Sequence, residues 1–207
     1  IMMWVIGKPI ANITVLLTEW LQNMSGTNTI LLAVILGMMI AFDMGGPVNK
    51  VAFSFMILSV SEQIYTIPAM IGVAICVPPI GLGISTLIAP KKYSDEEKET
   101  GKAAILMGLV GVTEGAIPFA AANPLRVIPA LMAGAACGSV TAGLLGAKLS
   151  SSWGGLIVLP TVENKIGYII AVLVGASVTA VTAAALKKSE AEEAVSDIDD
   201  IELEIEF

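Results

Sequence analysis

The sequence predicts an all-α integral membrane protein whose transmembrane helices include discontinuous ones, and three observations carry that prediction. Of 207 residues, 56% are hydrophobic and 14% charged, against about 25% charged in an ordinary soluble domain. Several apolar runs are long enough to cross a hydrocarbon core of about 30 Å. Others stop short at clusters of Gly, Pro and polar residues, the mark of helices broken at a site within the membrane. The net charge of −7 comes from the C-terminus. Nine of the eighteen acids follow residue 188, and the remaining nine face eleven Lys and Arg. The charge balance therefore singles out no nucleic-acid partner.

Residues 1–6 read as the end of a span that begins upstream, so the chain is expected to be a fragment or one half of a split protein. Residues 9–22 place Ile10, Ile13, Leu16, Leu17 and Leu21 at helical spacing beside Glu19 and Trp20, a pattern for a helix lying flat at the interface. Residues 30–42 are apolar but reach only about 20 Å as a helix. They break at Asp43-Met44-Gly45-Gly46-Pro47-Val48-Asn49-Lys50 before apolar sequence resumes over 51–60. A discontinuous helix at a binding site is one reading, and a plain turn outside the membrane is the other.

Residues 67–89 can span, with Pro78-Pro79 expected to kink or divide the helix. The segment 90–102 reads as a charged loop whose four lysines place it in the cytoplasm, and Lys187-Lys188 place the C-terminus there too. Between these points the chain crosses an even number of times. Residues 127–147 and 166–186 can each cross once, which makes 103–126 a re-entrant hairpin entering and leaving on the cytoplasmic side. Leu156 to Val162 could insert partially. Gly108, Gly111 and Gly115 fall on one face, as do Gly134 and Gly138, and close helix packing explains both sets. Cys76 and Cys137 are expected to be buried free thiols. The domain reading is a membrane unit over 1–188, incomplete at its N-terminus, and a disordered acidic tail over 189–207.

Within that hairpin, residues 113–126 read Thr-Glu-Gly-Ala-Ile-Pro-Phe-Ala-Ala-Ala-Asn-Pro-Leu-Arg. A carboxylate at membrane depth costs about 2.5–3.5 kcal/mol on insertion scales, so Glu114 marks a pathway or a binding site. Two polar clusters interrupt the apolar background: Asp43, Asn49 and Lys50, then Thr113, Glu114, Asn123 and Arg126. They supply donors and acceptors but no nucleophile–base pair, and the chain has no His. No catalytic residue, metal ligand or cofactor motif is assigned. Such sets suit a neutral, hydroxyl-rich ligand. The candidate substrate-binding residues are Glu114, Thr113, Asp43, Asn49, Lys50 and Asn123, while Arg126 anchors the hairpin at the surface. An Asp43–Lys50 ion pair holding the turn is an equally open reading.

The stretches Phe42-Asp43-Met44-Gly45-Gly46-Pro47-Val48-Asn49-Lys50 and Gly111 to Pro129 closely resemble the two signatures of the fructose-family membrane permease, enzyme IIC, of the phosphoenolpyruvate-dependent sugar phosphotransferase system. The resemblance implies a multi-pass dimer in the bacterial cytoplasmic membrane. It would carry a fructose-like hexose to a soluble, phosphorylated IIB partner supplied by IIA, with Glu114 on the sugar. Two departures stand out. The family's N-terminal helices are expected to lie upstream of this sequence, and Ser152-Trp153-Gly154-Gly155 stands where the family has Pro-His-Gly-Gly, so that histidine's role does not transfer. An ion- or proton-coupled transporter in which Glu114 titrates and an inactive truncated subunit are the alternatives.

Overall fold

A computed structural model describes residues 28–187. The expected interfacial helix at 9–22, the span ending at residue 6 and the acidic tail lie outside the described residues. Seven α-helices follow in order: α1 Thr29–Asp43, α2 Pro47–Ser61, α3 Thr66–Ile88, α4 Asp95–Val110, α5 Ile117–Ala122, α6 Pro124–Leu144 and α7 Lys165–Leu186. Short 3₁₀ turns lie at Pro90–Lys92, Thr113–Ala116 and Leu156–Thr161. Helices α3, α6 and α7 are long and apolar enough to cross a membrane.

Helix α3 is the axle of the bundle. It packs against α1, α2, α4, α6, α7 and the Thr113–Ala116 turn, and almost all of its side chains are buried. The Pro78-Pro79 pair neither ends nor divides it, since 23 residues from Thr66 to Ile88 form one helix. The helix is enclosed by protein along almost its whole length, so the carbonyls that two prolines free are kept away from lipid. Small residues admit those neighbours. Gly134 lies against Thr179 and Gly175 of α7, Gly138 against Val73 and Val77 of α3, and Gly108 against Ile80 and Pro79. Gly111 does not share a helical face with Gly108. It caps α4 at φ +89°, and a side chain there would collide with the Gly154 carbonyl.

The charged segment is helix rather than loop from Asp95 onward. Ser94 Oγ accepts from the Glu97 N–H, and the Glu97 carboxylate accepts from the Ser94 N–H, closing a capping box that satisfies two free donors at the helix start. Asp95, Glu96 and Glu97 fill the first turn, where the helix dipole favours negative charge. The two cysteines part company as well. Cys76 is buried as expected, but Cys137 is an exposed free thiol on the outward side of α6.

One end of the bundle gathers the 90–92 turn, Glu97, Asn123, Arg126 and Lys187. Lys187 Nζ sits 2.8 Å from Glu97 Oε1, and Lys92 Nζ donates to the Ala184 carbonyl at 2.8 Å. The far end holds Tyr65, Leu145, Lys148 and Asn164, tied by Leu149 N–H to Tyr65 O at 2.9 Å and Asn164 Nδ2 to Leu145 O at 2.8 Å. Helices α1 and α2 form a hairpin that starts at the far end, where Thr29 and Ile30 adjoin Val140 and Leu144. Helix α4, the 113–116 turn and α5 form a second hairpin that starts at the Lys187 end and returns to it at Asn123.

Candidate functional site

The tips of the two hairpins meet. At the first tip the chain reverses through Met44 at φ 40° and Gly45 at φ 105°, a left-handed pair in which only glycine is unstrained. A side chain on Gly45 would also come within 2.7 Å of Glu114 Oε1. The glycine therefore serves twice: it turns the chain and lets the carboxylate lie against the backbone. At the second tip α4 stops at the Gly111 cap, and the Thr113–Ala116 turn presents Glu114 before Pro118 restarts the helix.

Between the tips lies a cavity of about 180 Å³ lined by Gly45, Asn49, Lys50, Thr113, Glu114 and Trp153, with Phe53, Ile75 and Gly111 completing the wall. That is below the 300–1,000 Å³ typical of drug-sized ligands, room for a small molecule. Of the six predicted contacts, four line this one space: Asn49, Lys50, Thr113 and Glu114. Asn49 is fixed by donation from Nδ2 to the Ile40 carbonyl at 2.8 Å. Glu114 and Lys50 are exposed to the cavity, whereas Thr113 is buried at its edge.

Asp43 and Asn123 sit elsewhere. The Asp43 carboxylate accepts from the N–H groups of Val48 at 2.7 Å and Asn49 at 2.8 Å. It holds the first turn of α2 in the way an N-cap does, which places Asn49 and Lys50 without lining the cavity. Asn123 lies at the Lys187 end of the second hairpin, where it borders a small crevice with Tyr93, Glu97, Phe119, Arg126 and Lys187. The crevice is bound together by charge and aromatic contact. Lys187 Nζ stands 5.3 Å above the Tyr93 ring, and the Tyr93 hydroxyl is 2.7 Å from Ser85 Oγ. Burial pushes the Tyr93 phenol above its ordinary value, against the opposing pull of the Ser85 hydrogen bond.

The residue that sequence reasoning did not place here is Trp153. The connection between α6 and α7 folds back from the far end into the bundle. Gly155 N–H donates to the Gly72 carbonyl at 3.3 Å, and the Tyr168 hydroxyl to the Gly155 carbonyl at 3.2 Å. Trp153 thereby reaches the end of α4, where its indole N–H donates to the Val110 carbonyl at 2.9 Å. Its departure from the Pro-His-Gly-Gly pattern was visible in the sequence. Its position 43 residues from its hydrogen-bond partner was not.

Comparison with known proteins places the chain in a family of membrane proteins. A family model described as "Phosphotransferase system, EIIC" matches residues 1–134. The "Fructose-like permease IIC component 2" of Escherichia coli (strain K12) is 60% identical over 187 residues, 90% of this chain and 52% of that protein. A "PTS system fructose-specific EIIC component" of Haloferax volcanii is 45% identical over 90% of this chain and 50% of its own length. A "PTS system fructose-specific EIIB'BC component" of Vibrio cholerae is 44% identical over 95% of this chain and 34% of its own. The chain thus spans about half the length of the first and second of these relatives and a third of the other. No solved structure matches it. With its family model covering residues 1–134, the chain, an all-α membrane protein, belongs to the EIIC family of the phosphotransferase system.

Proposed function

We propose that this chain forms the sugar-binding part of a permease that takes up a fructose-like hexose by group translocation. One observation carries the reading: the Glu114 carboxylate of one hairpin tip lies against Gly45 of the other, in a small space shared with Asn49, Lys50 and Thr113. A carboxylate and an amide oxygen accept from sugar hydroxyls, while an ammonium and an amide nitrogen donate. Asp43 acts on the sugar through the turn it holds, and Asn123 through the anchoring of the second hairpin. The names of the relatives support fructose as the substrate class and a IIB component, with IIA behind it, as the phosphoryl donor.

In this reading the Lys187 end is cytoplasmic. Lys91, Lys92, Lys98, Lys102 and Arg126 gather toward it, as the positive-inside rule requires. The Glu114 hairpin is then re-entrant from the cytoplasm and the Gly45 hairpin from outside, in the cytoplasmic membrane of a bacterium. Phosphorylation at the cytoplasmic face traps the sugar, and two copies form the working dimer, for which the exposed apolar faces of α1 and α7 are available. Membrane vesicles containing the permease test the coupling. Labelled fructose should accumulate as its phosphate only when phosphorylated IIB is supplied. Accumulation of free fructose driven by a pH gradient, with no phosphoryl donor, would overturn it.

A further inference from the structure

The cavity has a polar side and an aromatic side, and the second is unassigned. Trp153 and Phe53 meet edge to face with ring centres 6.2 Å apart and planes at 84°, and Ile75 continues the same wall. The polar atom of Trp153 is already occupied, since the indole N–H is bonded to the Val110 carbonyl. Yet the side chain is large, apolar and 46% exposed beside the cavity that Glu114 lines. What it offers that space is ring surface. A hexose presents hydroxyls around its edge and a patch of C–H groups on its face. The hydroxyls need the acceptors and donors of Glu114, Asn49 and Lys50, and the C–H patch needs an apolar wall.

Resting on the sugar-site reading of the cavity, we infer that Trp153 is a specificity-determining contact: its ring is the wall against which the apolar face of the sugar packs. The hydrogen bond to Val110 gives this contact a second consequence. Val110 ends α4, three residues before the Thr113–Ala116 turn. The same side chain therefore fixes the α6–α7 connection to the hairpin that carries Glu114. A sugar held between Trp153 and Glu114 touches elements that enter from the two opposite ends of the bundle. Trp153→Phe keeps an aromatic wall and gives up the N–H bond, whereas Trp153→Ala gives up both.

The test is fructose titration of the full chain in lipid nanodiscs, in a background carrying Trp4→Phe and Trp20→Phe so that Trp153 is the one tryptophan, excited selectively over the tyrosines. Its emission should shift in a saturable way on adding fructose. Trp153→Ala should weaken the Kd roughly tenfold, about the worth of one aromatic contact, as measured by labelled-fructose binding. Trp153→Phe should recover most of that loss. A silent Trp153 in a protein that binds fructose, or an unchanged Kd in Trp153→Ala, overturns the inference even if one variant fails to fold. Glu114→Gln, measured in parallel, separates the two claims. Loss of binding in Glu114→Gln with none in Trp153→Ala removes this contact alone, while full binding in Glu114→Gln removes the sugar site on which it rests.

Discussion

Glu114 is exposed to a space that only a glycine opposite could leave open. Because Gly45 combines a φ of 105° with the close approach of the carboxylate, Gly45→Ala meets strain and collision together. Replacing glycine in such a conformation costs about 1 kcal/mol or more, so the variant should both lower the thermal midpoint and weaken fructose binding at least tenfold. A loss of stability with an unchanged Kd would show that the tip shapes the fold but not the site. Tyr93 gives a prediction in pH. Its phenol ionises above the ordinary value of 10.0 in the folded state because burial disfavours the anion. The contribution is complete below pH 10 and is lost as the pH rises through the raised value, since the unfolded chain ionises first. Thermal midpoints measured from pH 8 to 11 should fall more steeply for the parent than for Tyr93→Phe. Glu114 was legible because an acid in an apolar run is anomalous. The role of Asp43 was not, since a carboxylate that holds a turn and one that binds a ligand look alike in sequence.

At the level of elements, composition located the three long helices, the broken apolar run over 30–60 located the turn at 43–50, and the charge balance of the flanking segments placed a hairpin over 103–126. The boundaries that went astray have local causes. The segment 90–102 read as a loop because charge density outweighed the Ser94-x-x-Glu97 spacing, which was itself a helix-start signal. Ser94→Ala should destabilise α4 by about 1 kcal/mol, visible as faster amide exchange over 95–99 with little change in fructose affinity. Equal exchange in the two proteins would remove the capping box from the account. The Pro78-Pro79 pair failed to divide α3 because tertiary enclosure overrides local propensity. The α6–α7 connection was the hardest element to read. Its inward fold depends on Gly72, Gly111 and Tyr168, residues scattered along the chain, and no periodic pattern announces such a contact.

Across the whole molecule, two hairpins enter from opposite ends and α3 fixes their separation. The Lys187 end is closed by a half-buried pair, with Lys187 and Glu97 side chains only 12% and 23% exposed. Removing one partner of such a pair leaves the other desolvated and unpaired, which is more costly than losing a surface ion pair. Lys187→Met should therefore lower stability by about 1–3 kcal/mol, and a thermal midpoint equal to the parent's would contradict that closure. The meeting point of these hairpins is where we place the bound sugar. Equilibrium binding of labelled fructose to the purified parent and to Glu114→Gln, an isosteric change that removes one charge, tests it most directly. Loss of a charged hydrogen-bonding group of about 1.5–3 kcal/mol predicts a Kd at least tenfold weaker in a protein that folds as the parent does. Equal affinity in the two proteins would contradict it.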